Sequence, residues 1–101
     1  MRRAAKTDDN QSEIVAALRI VGCSVLPLHA VGKGCPDLLV TDTAKTTFLM
    51  EVKDGNKPPS ARKLTPDQVD FHAAWRGRIV VVCNVREAME AVGISASGWV
   101  S

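Results

Sequence analysis

The sequence predicts an α/β domain ordered as helix, three strands, helix, strand, helix, with a mixed β-sheet flanked by helices. Three observations predict it. Three stretches open on a helix-capping pattern followed by apolar residues at helical spacing. Residues 34–53 read as a β-hairpin. Finally, Arg78-Ile79-Val80-Val81-Val82-Cys83 is a continuous apolar strand, reached from the hairpin through a helix and therefore expected to pair in parallel, buried on both faces.

Composition bounds the reading. A chain of 101 residues, 46% apolar and 24% charged, is one domain with a single core, here 1–101 with a flexible basic segment over 1–9 and a tail over 94–101. The longest apolar run is far too short to span a bilayer, and the N-terminus has no apolar signal region. A cytoplasmic protein is expected, in the host-cell cytoplasm if the chain is viral. The three cysteines, Cys23, Cys35 and Cys83, lack the close pairing of a zinc site and read as reduced. A net charge of +2 is weak evidence for a nucleic-acid partner. Its distribution says more: Lys53, Lys57, Arg62 and Lys63 face only Asp54 in their stretch, and Arg2, Arg3 and Lys6 cluster near the start.

The first helix starts near Asn10, where Asn10-Gln11-Ser12-Glu13 has the form of a capping box. Ile14, Ala17, Leu18 and Val21 form its buried stripe, and Gly22 ends it. A strand over residues 24–30 follows, and Pro27 in its middle makes it an edge or a bulge. Val31-Gly32-Lys33-Gly34 lacks the spacing of a phosphate-binding P-loop; it reads equally as a plain turn or as a place where backbone amides and Lys33 meet a phosphate. His29 is a polar residue at the strand end.

The hairpin comes next. Pro36 initiates a Leu/Val run, Asp42-Thr43-Ala44-Lys45 supplies the turn, and Phe48 to Lys53 alternates. Phe48, Met50 and Val52 point to the core, while Leu49, Glu51 and Lys53 point to a second, charged face. Closing Asp42 against Thr46 sets Asp37 directly opposite Glu51, with Cβ atoms roughly 5 Å apart. Two carboxylates so close repel unless a cation lies between them, and a hard divalent ion is the natural occupant. Lys53, on the same face, adds a fixed positive charge.

Beyond it, Asp54-Gly55-Asn56-Lys57-Pro58-Pro59-Ser60 is a loop. The second helix has Thr65 as N-cap, Pro66 at its first position and Gln68 completing a capping box, with Val69, Ala73, Phe71 and Trp75 as its apolar contacts and Gly77 as its end. Asn84-Val85-Arg86-Glu87 opens a third, short helix through Ala88, Met89 and Val92, ending at Gly93. Trp99 covers the core or meets a partner.

Gly-x-Pro-Asp on one strand and Glu51-Val52-Lys53 on the next resemble the PD-(D/E)xK nuclease signature. With the helix start Leu64-Thr65-Pro66-Asp67-Gln68, the chain resembles the virus-type replication-repair (VRR-NUC) branch, a family similar to Holliday junction resolvases. The resemblance spans roughly residues 10 to 90. It implies a restriction-endonuclease-like core (αβββαβ) and a metal-dependent nuclease that hydrolyses phosphodiester bonds of branched or duplex DNA, with Mg²⁺ or Mn²⁺ as cofactor. Asp37, Glu51 and the Val52 carbonyl would hold the metal, and Lys53 would orient the attacking water. Gln68 matches a glutamine that this branch carries near the active site. Glu13 is the first-helix candidate for the metal, although the capping box explains it equally. Lys33, Lys57, Arg62 and Lys63 would contact DNA phosphates, and a homodimer would bring two sites to two strands. Three other readings stay open: a nucleic-acid-binding or assembly module without activity, an ordinary charge pair on an exposed sheet face, and a phosphodiesterase for a small nucleotide.

Overall fold

The turn sets the register of the hairpin, and the hairpin sets the sheet. The Asp42 N–H donates to the Thr46 carbonyl at 2.9 Å, and its Oδ1 accepts from the backbone amides of Ala44 and Thr46 at 3.0 and 2.9 Å. Lys45 takes the left-handed conformation, φ 68°, that a three-residue loop requires. The computed structural model describes residues 10–94. Expectations for the basic segment 1–9 and for the tail from 95 on, including Trp99, lie outside the described residues.

The elements are α1 (Gln11–Ile20), β1 (Ser24–Pro27), β2 (Leu38–Thr41), β3 (Thr47–Val52), a 3-10 turn over Pro59–Arg62, α2 (Pro66–Ala74), β4 (Ile79–Val82) and α3 (Val85–Ala91). They form the expected α/β architecture. Among the described residues the sheet runs β1-β2-β3-β4, antiparallel for the first two pairs and parallel for β3 with β4. Leu38 pairs with Met50 and Thr41 with Thr47, so Asp37, one residue earlier, falls opposite Glu51. β1 is an edge strand, as its proline requires, and it stops at Pro27. Beyond it the chain turns back, and the Leu28 N–H donates to the Asp37 carbonyl at 2.7 Å.

One sheet face carries the core: Leu38, Val40, Phe48, Met50, Val52 and Val82, packed on Ile14 and Leu18 of α1 and Ala88 and Met89 of α3. Both helices end in the same way. Backbone amides of Gly22 and Cys23 return to Arg19 and Leu18, and those of Gly93 and Ile94 to Glu90 and Met89, each with its glycine at positive φ, which is the Schellman arrangement.

Several local expectations are corrected. Asn10 does not cap α1 with its side chain; its Nδ2 instead donates to the carbonyls of Lys53 (3.1 Å) and Cys83 (2.9 Å), clipping the helix start to the ends of β3 and β4. In α3, Asn84 accepts from the Glu87 N–H, but the Glu87 carboxylate takes the N–H of Cys83, one residue before the expected partner. β4 is not buried on both faces, because it lies at the sheet edge and Val81 is 46% exposed. α2 buries none of its residues; Val69 and Trp75 are exposed, with Trp75 stacked on Phe71 at 5.5 Å. The helix ends at Ala74, ahead of Gly77.

α2 lies over the second face of the sheet, and Gly34 seats it there. A Cβ at Gly34 would stand 2.2 Å from the Asp67 carbonyl oxygen and 2.9 Å from the Gln68 nitrogen, and the residue sits at φ +80°. Gly32 has a similar φ of +74° with nothing within 4 Å of its Cβ position. Left-handed backbone alone costs an alanine about 1–2 kcal/mol. Gly34→Ala is therefore expected to destabilise the chain clearly more than Gly32→Ala in urea unfolding, since it adds a backbone clash with α2 to the same conformational strain.

Candidate active site

The second sheet face holds the charged residues, and it is covered. Glu51 is 1% exposed and Leu49 5%. A buried carboxylate needs donors, and α2 provides them. Gln68 Nε2 donates to Glu51 Oε2 at 3.2 Å, and His72 Nε2 stands 3.5 Å from Glu51 Oε1. Gln68 and His72 are one helical turn apart and rise from the same side of α2.

Gln68 completes the capping box that its sequence context offered and also reaches the charged residues of β3. Its Oε1 accepts from the Thr65 N–H at 2.9 Å while its own N–H donates to Thr65 Oγ1 at 3.2 Å, completing the capping box. The same oxygen accepts from Lys53 Nζ at 2.8 Å. An amide oxygen has two lone pairs and an amide nitrogen two hydrogens, so one side chain can cap a helix, aim an ammonium and hold a carboxylate together.

Across the hairpin, Asp37 Oδ2 accepts from the Val52 N–H at 2.7 Å. In extended backbone the N–H and C=O of one residue point the same way, so the Val52 carbonyl also faces the Asp37 side. Asp37, Glu51, the Val52 peptide, Lys53 and Gln68 are thus brought together. Cys35 lies among them; burial, then the charges of Glu51 and Asp37, pushes its thiol above the ordinary range. Burial, then the Lys53 ammonium, holds the His72 imidazole below its ordinary range, which leaves a neutral ring at neutral pH.

Glu13 is not brought into this group. It is exposed on α1 and lines a separate cavity of about 220 Å³ with Asn10, Asp54 and Asn56. The polar residue that α1 turns inward is Gln11, 7% exposed, on the face of Ile14 and Leu18, with Oε1 unpartnered among the described residues. No group of three His, Cys, Asp or Glu suited to a metal ion occurs among the described residues. His72 was missed by sequence reasoning; its signal was the one-turn spacing from Gln68. Lys33, at φ 56°, is exposed, as are Lys57 and Lys63, while Arg62 is half-buried with Nε unpartnered among the described residues. The Lys33 loop touches the first turn of α2 through Gly34, and residues 57–63 lead directly into that turn, so both basic segments converge beside the site.

A solved structure described as a VRR_NUC domain superposes on this chain with a TM-score of 0.60 at 22% identity, covering 84% of this chain and 96% of the other. The chain has the VRR_NUC fold. No family model and no curated protein matches the sequence. The VRR_NUC likeness extends to a mixed four-stranded sheet with flanking helices, a restriction-endonuclease-like architecture.

The Asp37 hydrogen bond leads to a stability prediction. Asp37→Ala leaves the Val52 N–H without its acceptor, and an unsatisfied buried donor costs about 1–3 kcal/mol. The urea midpoint of Asp37→Ala without metal should fall accordingly, outweighing any relief of repulsion with Glu51, and Asp37→Asn, which retains an acceptor oxygen, should fall less.

Proposed function

We propose that this chain is a metal-dependent DNA nuclease that hydrolyses phosphodiester bonds of branched or duplex DNA in replication, repair or recombination. The observation that carries this reading is the burial of Glu51 opposite Asp37, with donors from α2 on its carboxylate and Lys53 aimed beside it. Burial of a carboxylate seldom repays its desolvation in stability, and an exposed surface charge pair would not be sealed under a helix. The donor set suits Mg²⁺ or Mn²⁺. Asp37, Glu51 and the Val52 carbonyl are hard oxygen ligands, and a small divalent ion of this kind takes one or two carboxylates and retains waters, so two acidic side chains suffice. When bound, it supplies Lewis-acid polarisation of the phosphoryl group and a more acidic water. Lys53 uses one of its three donors on Gln68. Those left can orient the attacking water and stabilise charge on the pentacovalent phosphorus.

Lys33, Lys57 and Lys63, with Arg62, supply phosphate contacts around the start of α2. Their joint neutralisation lowers DNA affinity across all sequences and flattens its salt dependence in binding titrations; an unchanged slope would remove them from the interface.

The deciding experiment incubates the full chain and Mn²⁺ with single-stranded, duplex, flap and four-way-junction DNA. Cleavage of branched or duplex substrates is expected. Asp37→Ala, Glu51→Ala and Lys53→Ala should each lower it by a factor on the order of 100 or more. Normal cleavage by any of these variants would sink the assignment, and metal-independent binding without cleavage would favour an assembly module.

One small domain with one such site cuts one strand at a time, and two-fold symmetry would present two sites to two strands. We therefore propose a homodimer, with the exposed Val69 and Trp75 side of α2 as a contact surface. Light scattering with and without a four-way junction checks it, and a monomeric mass in both would rule it out.

A further inference from the structure

We infer that His72 is a positioning residue that holds one oxygen of the Glu51 carboxylate, so that the carboxylate keeps one orientation relative to Asp37 and a bound divalent cation. This rests on the reading of Asp37 and Glu51 as the cation-binding pair. A glutamate has three side-chain torsions, and the last is broad, so one hydrogen bond leaves the plane of its carboxylate free to rock. Glu51 has a donor on each oxygen: Gln68 Nε2 at 3.2 Å from Oε2 and His72 Nε2 at 3.5 Å from Oε1. Both donors come from one rigid helix, spaced by one turn, and that helix is fixed by its capping box and by Gly34. The two contacts define the carboxylate plane as a single contact could not.

A carboxylate presents about four lone-pair sites on its two oxygens. Donors on the α2 side occupy one on each, so both oxygens are held from the helix side. Glu51 can only accept in its ionised form, so the tautomer required is Nε2–H. The separation of 3.5 Å becomes a full hydrogen bond with a closure of about 0.3 Å, a movement well within what a catalytic hydrogen bond makes when a site fills. The arrangement has the logic of an outer-shell partner, which orients a ligand without touching the ion.

The test uses the full chain with Mn²⁺ alone, measured by isothermal titration calorimetry, for wild type, His72→Leu and His72→Gln. Leucine keeps bulk and removes the donor; glutamine returns an N–H at a similar reach. Thermal melting without metal reports folding of each. His72→Leu is expected to weaken Mn²⁺ binding by about 10- to 100-fold, the usual effect of losing an outer-shell partner. His72→Gln should bind close to wild type, and cleavage by His72→Leu should recover as Mn²⁺ is raised. Wild-type affinity in a folded His72→Leu would overturn the inference and leave the nuclease reading intact. Equal weakening in both variants would overturn it too, since the donor would not be the cause. A wild-type chain that binds no Mn²⁺ would overturn the cation-site reading and this inference with it.

Discussion

The Gln68 side chain joins three things that would otherwise be independent: the start of α2, the ammonium of Lys53 and the carboxylate of Glu51. A cap stabilises a helix by satisfying orphan amides, and here the capping residue extends that order into the sheet. α2 buries none of its residues, so its position depends less on apolar packing than on these polar bonds and on the close backbone approach at Gly34. The helix that covers the site is held by the site.

That dependence has an energetic logic. Glu51, almost fully buried, is a poor choice for stability, because replacing water around a carboxylate requires several well-placed donors to break even. The chain provides them from α2, and on the facing strand it uses the other carboxylate, Asp37, as the acceptor for a backbone amide. Each acid is thereby tied to a different rigid element. Such prior ordering lets a charged site accept a ligand without reorganising, and the core on the opposite face, with α1 and α3 clamped by paired Schellman ends, carries the stability that the site does not.

Most of the architecture was legible because local signals agreed with one another. The Asx turn at Asp42 fixed the hairpin, and period two then placed Asp37 against Glu51 without further information. Misreadings arose where a side chain served a distant partner instead of its own helix. Asn10 has the sequence context of an N-cap, yet it bonds to the carbonyls of Lys53 and Cys83, a contact across the fold that no local pattern encodes. On α1 the inward stripe of Ile14 and Leu18 runs through Gln11, and Glu13 is exposed. The burial of β4 was overestimated because a run of β-branched residues does not reveal whether its strand lies at the centre or at the edge of the sheet.

Gln68 shows how one side chain can cap its own helix and bond to the neighbouring sheet at once. Its amide carries both a donor and an acceptor on a planar group, and the helix cap uses only one of the oxygen's lone pairs. What remains is directed away from the helix, toward β3, by the same geometry that makes the cap. A serine or aspartate cap would have satisfied the helix alone; a capping box with glutamine at its third position leaves an amide facing the sheet, where Lys53 and Glu51 are the residues within reach. The local rule that starts α2 therefore also orders the charges beneath it, and this coupling lets a small four-stranded sheet hold a buried charged site on a thinly covered face.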